Sequence, residues 1–313
     1  MNILIVGGFG YLGQRLGRHL HDAGFNIILA SREHRENPMW LENGSTLNIN
    51  WDDTKSFFSK SLQIDTVIHA AGMNALNCSK HPSLAKEFNG DATGRLVKES
   101  IKNHVNQFIY LSTAHVYASP LQGIISEDSQ LLNNHPYATS HAIGENHVIA
   151  ANSSGEIRGK VLRLSNCFGP PVNKASDCWG LLVNDICLQA SQLKHITLKT
   201  SGSQFRDFIP ISIFCKIVCN FLVDNSLSSE KAIFNIGGRT MTILEMTNLV
   251  RDVYFKKFQI KISLSKEESF NSETLDRLQY KMNWCLKENS SIQNEANDIK
   301  EIEDLLDFCK IHL

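Results

Sequence analysis

Short aliphatic and β-branched runs alternate with longer stretches of helical periodicity through the first half of the chain. The runs Ile3 to Val6, Asn26 to Ala30, Thr46 to Ile49, Thr66 to His69, Gln107 to Leu111 and Lys160 to Leu164 are short and nearly continuously apolar. That is the pattern of strands covered by helices on both faces. Between them the spacing predicts helices near Tyr11 to Asp22, Thr54 to Ser61, Pro82 to Asn103 and Tyr137 to Asn152. Such alternation predicts right-handed βαβ units, and so an α/β fold with a doubly wound parallel sheet.

After about residue 165 the rhythm becomes irregular. Gly169-Pro170-Pro171 is followed by a predicted helix from Trp179 to Ser191 and short strands around Ile196 and Ile233. Further helices are predicted at Ile211 to Asp224, Thr242 to Phe255 and Asp298 to Cys309, with the polar segment Glu288 to Ala296 as a loop. The expected division is a core over residues 1–165 and a smaller C-terminal lobe over 166–313, some of whose segments return to the core.

Composition narrows the function classes. Lys plus Arg total 31 against 32 for Asp plus Glu, a formal net charge of -1, which argues against a general nucleic-acid binder or a polybasic membrane surface. With 42% hydrophobic and 20% charged residues this is an ordinary globular composition. The longest apolar stretch, Ile213 to Val223, is interrupted by Lys216 and Asn220, and the opening MNILIVGG lacks a basic n-region and a cleavage site. A cytoplasmic protein without a membrane segment is expected. The eight cysteines (Cys78, Cys167, Cys178, Cys187, Cys215, Cys219, Cys285, Cys309) contain no C-x-x-C pair, which fits reduced, packed thiols. Cys215 and Cys219, four apart on a predicted helix, read as shared burial. The histidines form no H-E-x-x-H pattern, so no metal is expected.

The first strand runs directly into Gly7-Gly8-Phe9-Gly10-Tyr11-Leu12-Gly13, where a helix begins. Glycines at this spacing allow a tight turn, close approach of backbone to a pyrophosphate, and free amides at a helix N-terminus aimed at the anion. Its place in the first βαβ unit supports a Rossmann-type dinucleotide site over a merely structural turn. Gly7, Gly10, Tyr11, Leu12 and Gly13 are its candidate residues, with Ala70 and Ala71 after the fourth strand. At the end of the second strand a carboxylate would accept from a ribose 2′-hydroxyl, whereas a basic residue accommodates a 2′-phosphate. The sequence there is Leu29-Ala30-Ser31-Arg32. Ser31 and Arg32 therefore favour NADP, with NAD possible, although Arg32 also reads as a solvated loop residue. Asp52 is a candidate acceptor for the adenine amino group; helix capping by Asp52 or Asp53 is the alternative.

Several motifs in order, VGGFGYLG at 6–13, VIHAAG at 67–72, FIYLSTAHVYA at 108–118, YATSHAIGE at 137–145, RLSNCFGPP at 163–171, RDFIPI at 206–211 and NIGG at 235–238, resemble the extended short-chain dehydrogenase/reductase family. These are the NAD-dependent epimerases, dehydratases and reductases of nucleotide sugars. The resemblance implies a smaller substrate-binding lobe and Thr113 and Tyr137 as the catalytic hydroxyls, with Ser112 and His115 beside them. It also implies substrate contacts from Asn166 and Arg206, though Arg206 also reads as a partner of Asp207 or another acid. By the same analogy the chain forms a homodimer through its long helices.

One departure stands out. Where the family has a lysine four residues after the tyrosine, this sequence has His141, and no lysine occurs from Asn103 to Gly159. A lysine there would lower the phenol pKa and bond the nicotinamide ribose; a neutral imidazole could still bond the ribose but gives the phenol little Coulombic help. Reduction of a keto sugar, which starts from protonated tyrosine, is the direction such a site favours. The alternatives are a solvent-facing His141 with no role and a non-catalytic NAD(P)-binding sensor or regulatory subunit of the same fold.

Overall fold

The computed structural model describes residues 1–58, 63–223, 231–267, 276–284 and 289–313. In chain order the first elements are β1 (Asn2–Val6), α1 (Tyr11–Asp22), β2 (Asn26–Ser31), β3 (Ser45–Asn48), β4 (Thr66–His69), α2 (Ala75–Lys80), α3 (Pro82–Ala85), α4 (Ala92–Lys102) and β5 (Gln107–Thr113). There follow β6 (Ile124–Ile125), α5 (Pro136–Ser153), β7 (Arg158–Leu164), β8 (Asn166–Phe168), α6 (Leu182–Leu193), β9 (His195–Leu198), β10 (Phe205–Pro210) and α7 (Ile211–Val223). The last are β11 (Ile233–Ile236), β12 (Arg239–Thr242), α8 (Ile243–Phe258), β13 (Ser263–Lys266), β14 (Gln279–Tyr280), α9 (Asn289–Ile292) and α10 (Glu295–His312).

The chain divides into two compact units, one of residues 1–119, 130–164 and 218–235, the other of 120–129, 165–217 and 236–313. The first carries a seven-stranded sheet in the order β11-β7-β5-β4-β1-β2-β3. The five pairings from β3 through to β7 are all parallel, and the order reverses between β1 and β4. In a doubly wound sheet, ligands bind outside the carboxyl ends of the strands at such a reversal. Leu4, Val6, Ile28, Val67, Phe108, Tyr110 and Val161 of the sheet pack with Leu96 and Val97 of α4 and Val148 and Ala151 of α5. Each such aliphatic side chain, fully buried, contributes about 1.5–3 kcal/mol.

The expected helix from Pro82 to Asn103 is three pieces, preceded by α2. Asn74 caps α2 by accepting from the Asn77 amide at 2.9 Å. Pro82 cannot continue that helix but suits the first turn of the next, so the chain breaks at His81 and restarts as α3. Lys86–Asp91 then form a π-helical turn before α4. Of the helix expected from Thr54 to Ser61, a 3₁₀ turn at Thr54–Phe57 is present, and residues 59–61 lie outside the described residues. The strand near Ile233 is β11, part of the large sheet.

The second unit holds three small sheets, β12-β10-β8, β13-β9 and β14-β6. Their cores include Phe208, Met246, Val250, Tyr254, Leu305 and Leu306, gathered between α6, α8 and α10. Residues 288–296 were expected to be a loop, but α9 occupies Asn289–Ile292 and α10 starts at Glu295. Asn294 caps α10 by accepting from the Ala296 amide at 3.0 Å, so much of that polarity is helix-start chemistry. Cys285 and Asp224 lie outside the described residues. Among the described residues no helix is long and apolar enough to cross a membrane.

Candidate active site

At the end of β1 the chain turns through Gly7, whose φ of +85° lies in the left-handed region; a Cβ there would come within 2.6 Å of the Ala71 nitrogen. Gly7 thus lets the β1 loop lie against Ala70 and Ala71, and the Ala70 amide donates to the Val6 carbonyl at 2.8 Å. Gly13 seals the turn, since a Cβ on it would run into the Gly7 carbonyl. Gly10 is the N-cap of α1, makes no side-chain cap bond, and is followed by a first turn with no acidic residue. A Cβ at Gly10 would meet only the Gly7 oxygen, at 3.3 Å. Gly10 sets no cap side chain over the start of α1, and the glycine cradle fits a dinucleotide's pyrophosphate. Tyr11 is buried and Leu12 half-buried in that first turn.

Ser31 closes β2 and its Oγ accepts from the Glu33 amide at 3.2 Å. The exposed Arg32 guanidinium lies 5.7 Å from the Phe88 ring centroid, whereas Arg35 is paired with Glu33 at 2.5 Å. Of the two acids after β3, Asp53 takes the cap, accepting from the Lys55 amide at 3.2 Å, and Asp52 is exposed.

Thr113 is the last residue of β5 and Tyr137 the second of α5, and the Thr113 side chain lies beside the Tyr137 phenol, close enough to favour its phenolate. Burial pushes the Tyr137 phenol above its usual pKa, and the Thr113 side chain offsets part of that rise. His141 follows one helical turn later, its ring edge-on to Tyr137 with centroids 4.6 Å apart. It is only 5% exposed, so it is not the solvent-facing residue that was the alternative. Its Nδ1 lies 2.9 Å from the Tyr110 hydroxyl, and burial lowers its pKa to about 4. The imidazole is neutral near pH 7. His69, at the end of β4, is also buried; its Nε2 is 3.0 Å from Thr93 Oγ1, and its pKa falls to about 3, chiefly through burial and then through His141.

Ser112, expected beside the substrate, is occupied by a protein partner in this structure. Alternation along β5 turns it away from its neighbour Thr113, and its buried hydroxyl donates to Glu145 Oε1 at 2.5 Å. His115 is half-buried, and its carbonyl accepts from Asn133 Nδ2 at 2.7 Å. In the second unit, Asn166 donates its amide to the Asp207 carbonyl at 2.8 Å, a bond within the β8–β10 pair. Arg206 donates to the Phe205 carbonyl and to Gln204 Oε1 and, among the described residues, is in no ion pair. It does not pair with Asp207, the next residue on the strand, whose carboxylate accepts from the Gly238 amide and the Thr240 hydroxyl.

The model of the NAD dependent epimerase/dehydratase family matches residues 3–237. The chain belongs to that family. An uncharacterised UDP-glucose epimerase of Bacillus subtilis is 26% identical over 279 residues, covering 84% of this chain and 85% of its own length. The UDP-glucose 4-epimerase of Halalkalibacterium halodurans is 29% identical over 277 residues, 81% of this chain and 80% of its own. Among solved structures, Thermus thermophilus UDP-glucose 4-epimerase in complex with NAD superposes with a TM-score of 0.79 over 100% of both chains at 16% identity. Bacillus cereus UDP-glucuronic acid 4-epimerase, in complex with UDP-glucuronic acid and NAD, gives 0.75 over 99% of both at 20% identity. At those identities the structural likeness shows a shared fold.

In this member of the NAD dependent epimerase/dehydratase family, the site stands on a buried network that sequence reasoning missed. Glu145 lies eight residues after Tyr137 on the same face of α5, and its carboxylate grips Arg163 of β7 through contacts of 2.7, 3.1 and 3.2 Å. Arg163 Nη1 donates to the Tyr117 hydroxyl at 2.9 Å, which donates to Asn235 Oδ1 at 2.6 Å. The available signal was two opposite charges, Glu145 within a helix rich in small and apolar residues and Arg163 between Leu162 and Leu164.

Proposed function

We propose that the protein is an NAD(P)-dependent enzyme acting on a nucleotide-linked sugar, by keto-sugar reduction or by epimerisation at a ring carbon such as C4. The observation that carries this reading is that Thr113 and the Tyr137 phenol lie side by side at the carboxyl edge of the parallel sheet, one helical turn from His141. Family membership, and the UDP-sugar epimerases among the relatives, give the substrate class.

The Gly7–Gly13 turn and the first amides of α1 hold the diphosphate of the coenzyme, with Ala70 and Ala71 flanking it. Ser31 and Arg32 favour NADP: β2 ends without a carboxylate, and Arg32, unlike Arg35, is in no ion pair among the described residues. Asp52 is assigned to the adenine. When bound, the dinucleotide supplies reversible hydride exchange with a sugar carbon. Thr113 orients the oxygen on that carbon, and Tyr137 gives it a proton or takes one away.

Tyr137 rests protonated, because burial raises its pKa and the neutral His141 offers no charge to its phenolate. Each pKa unit left unlowered costs about 1.4 kcal/mol in the direction that starts from phenolate. The site is therefore biased toward proton delivery, the direction of reduction. His115 is assigned to the sugar and Arg206 to the negative charge of a substrate diphosphate. We place the protein in the cytoplasm as a homodimer.

A thermal-shift panel of NAD, NADP and assorted nucleotide sugars, followed by turnover of the hits, tests the proposal, since a ligand bound only by the folded state raises its stability by mass action. Stabilisation by NADP and by at least one nucleotide sugar is expected. Stabilisation by neither, or by dinucleotide alone without turnover of any sugar, would reject it.

A further inference from the structure

Two buried histidines flank Tyr110 in the first unit, and the hydrogen bonds around them fix where each carries its proton. The carbonyl of Asn89, in the π-helical turn, accepts from Thr93 Oγ1 at 2.7 Å. The Thr93 hydroxyl has then spent its proton, so it accepts at 3.0 Å from His69, which must carry hydrogen on Nε2. His69 Nδ1 is accordingly bare, and it is sealed without a partner among the described residues.

The Tyr110 hydroxyl has one proton to give; Thr93 stands beside it as a third hydrogen-bonding neighbour, its own proton directed to the Asn89 carbonyl, and two acceptors compete for the phenol proton. One is the Asn89 carbonyl at 3.3 Å, already engaged by Thr93, and the other is His141 Nδ1 at 2.9 Å. Burial and the nearby Glu145 carboxylate push the Tyr110 pKa well above the ordinary phenol value, so the hydroxyl keeps its proton. The shorter contact goes to the unengaged acceptor, which makes His141 Nδ1 the recipient and leaves the ring hydrogen on Nε2.

His141 Nε2 has no protein partner among the described residues, yet unlike His69 Nδ1 it is not a sealed atom. It is the open edge of an otherwise buried ring. It faces the backbone after β4, lying 3.7 Å from where a Cβ on the exposed Gly72 would stand. Gly72 continues the Ala70–Ala71 segment against which Gly7 packs.

We infer that Tyr110 is a positioning residue that locks His141 as a neutral Nε2–H donor facing the Ala70–Gly72 ledge, where an oxygen of the bound dinucleotide accepts from it. The inference rests on the proposed dinucleotide site for the identity of the acceptor, but the tautomer lock belongs to the ligand-free protein. In this arrangement the hydroxyl of Tyr110, invisible to the substrate, decides whether position 141 offers a donor or a lone pair. Ring contacts reinforce the orientation: Tyr110 stacks on His141 with centroids 5.8 Å apart and planes 26° apart, and Tyr137 holds the ring edge-on.

The test is nitrogen-15 NMR of the full-length, ligand-free protein labelled on histidine, with the His141 signals assigned by comparison with His141→Gln. The wild type is expected to show a single neutral Nε2–H tautomer at pH 7, and Tyr110→Phe a mixture of the two tautomers. An Nδ1–H tautomer in the wild type, or an unchanged tautomer in Tyr110→Phe, would overturn the inference; the wild-type spectrum decides even if that variant fails to fold. Calorimetric titration with NADP and NAD supplies the second arm, where losing the enforced donor is expected to weaken binding roughly three- to tenfold. Unchanged affinity alongside the altered tautomer would reject the dinucleotide as acceptor. Absence of dinucleotide binding by the wild type would instead reject the proposed function while leaving the lock to be judged by NMR.

Discussion

Replacing Glu145 by Gln tests the foundation on which the candidate catalytic residues stand. The Glu145 and Arg163 side chains are 1% and 4% exposed and ion-paired at 2.7 Å. The amide keeps the shape of the side chain and deletes its charge, so the buried Arg163 guanidinium loses the Glu145 carboxylate it is paired with. Breaking a buried pair in this way costs roughly 3–5 kcal/mol. Folded domains are stable by only about 5–15 kcal/mol, so the loss is a large fraction of the whole. Ser112 loses its charged acceptor as well. Equilibrium urea unfolding followed by circular dichroism and tryptophan fluorescence gives the change directly. The Glu145→Met, Arg163→Met double variant supplies the control: with both charges gone it is expected to recover most of the stability that either single change removes. A Glu145→Gln variant within 1 kcal/mol of wild type, or a double variant no better than the singles, would refute the reasoning (limits set from the range expected for breaking such a pair, about 3–5 kcal/mol).

Three further outcomes are expected. Gly13→Ala drives a methyl into the Gly7 carbonyl and should lower the melting temperature and abolish its rise with NADP, whereas Gly180→Ala, with nothing within 4 Å of the added Cβ, should be silent. Arg32→Ala should weaken NADP binding at least about tenfold in calorimetry, in line with the roughly 1.5–3 kcal/mol of a charge-assisted bond, and leave NAD unchanged. Unfolding free energy against pH separates opposing groups. His141 and His69, lowered to about 4 and about 3, make stability fall as pH drops below 6.5, because the unfolded chain binds protons the folded chain refuses. Asp207 and Asp298, raised to about 6 chiefly by burial, act in the opposite sense and add stability as pH falls from 6 toward 4. The difference between wild type and His141→Gln isolates the first effect: it should shrink by roughly 3 kcal/mol between pH 7 and pH 4, and a pH-independent difference would contradict a buried neutral ring.

The large sheet was legible because its strands announce themselves twice, by apolar runs and by the helical spacing between them. Thr66–His69 and Tyr11–Asp22 were read with their observed bounds. The small sheets of the second unit were mostly illegible, since β6 and β14 are two residues long and β8 three. Pairing at that length is set by tertiary contact and leaves no periodicity to read. The π-helical turn at Lys86–Asp91 escaped for a related reason: its sequence is compatible with helix, and its Asn89 is drawn out by bonds to the Met73 amide and to Ser140. At the site, position in a motif located Thr113, Tyr137 and His141, but could not tell which face of β5 Ser112 would take relative to Glu145. Nor could it foresee Tyr110, a strand residue whose ordinary role is core packing and whose hydroxyl happens to meet a buried imidazole.

The central claim is that the hydroxyls of Thr113 and Tyr137 serve proton transfer at a sugar oxygen, and turnover tests it most directly. The full-length protein would be incubated with a panel of nucleotide sugars and keto sugars in the presence of NAD(H) or NADP(H), and the sugar products separated by chromatography alongside Tyr137→Phe. The expected result is conversion of at least one nucleotide-linked sugar by the wild type and at least about a hundredfold loss in a folded Tyr137→Phe protein that still binds dinucleotide, the scale of a lost general acid–base. Conversion that survives the loss of the phenol, or dinucleotide binding with no sugar converted, would contradict the account.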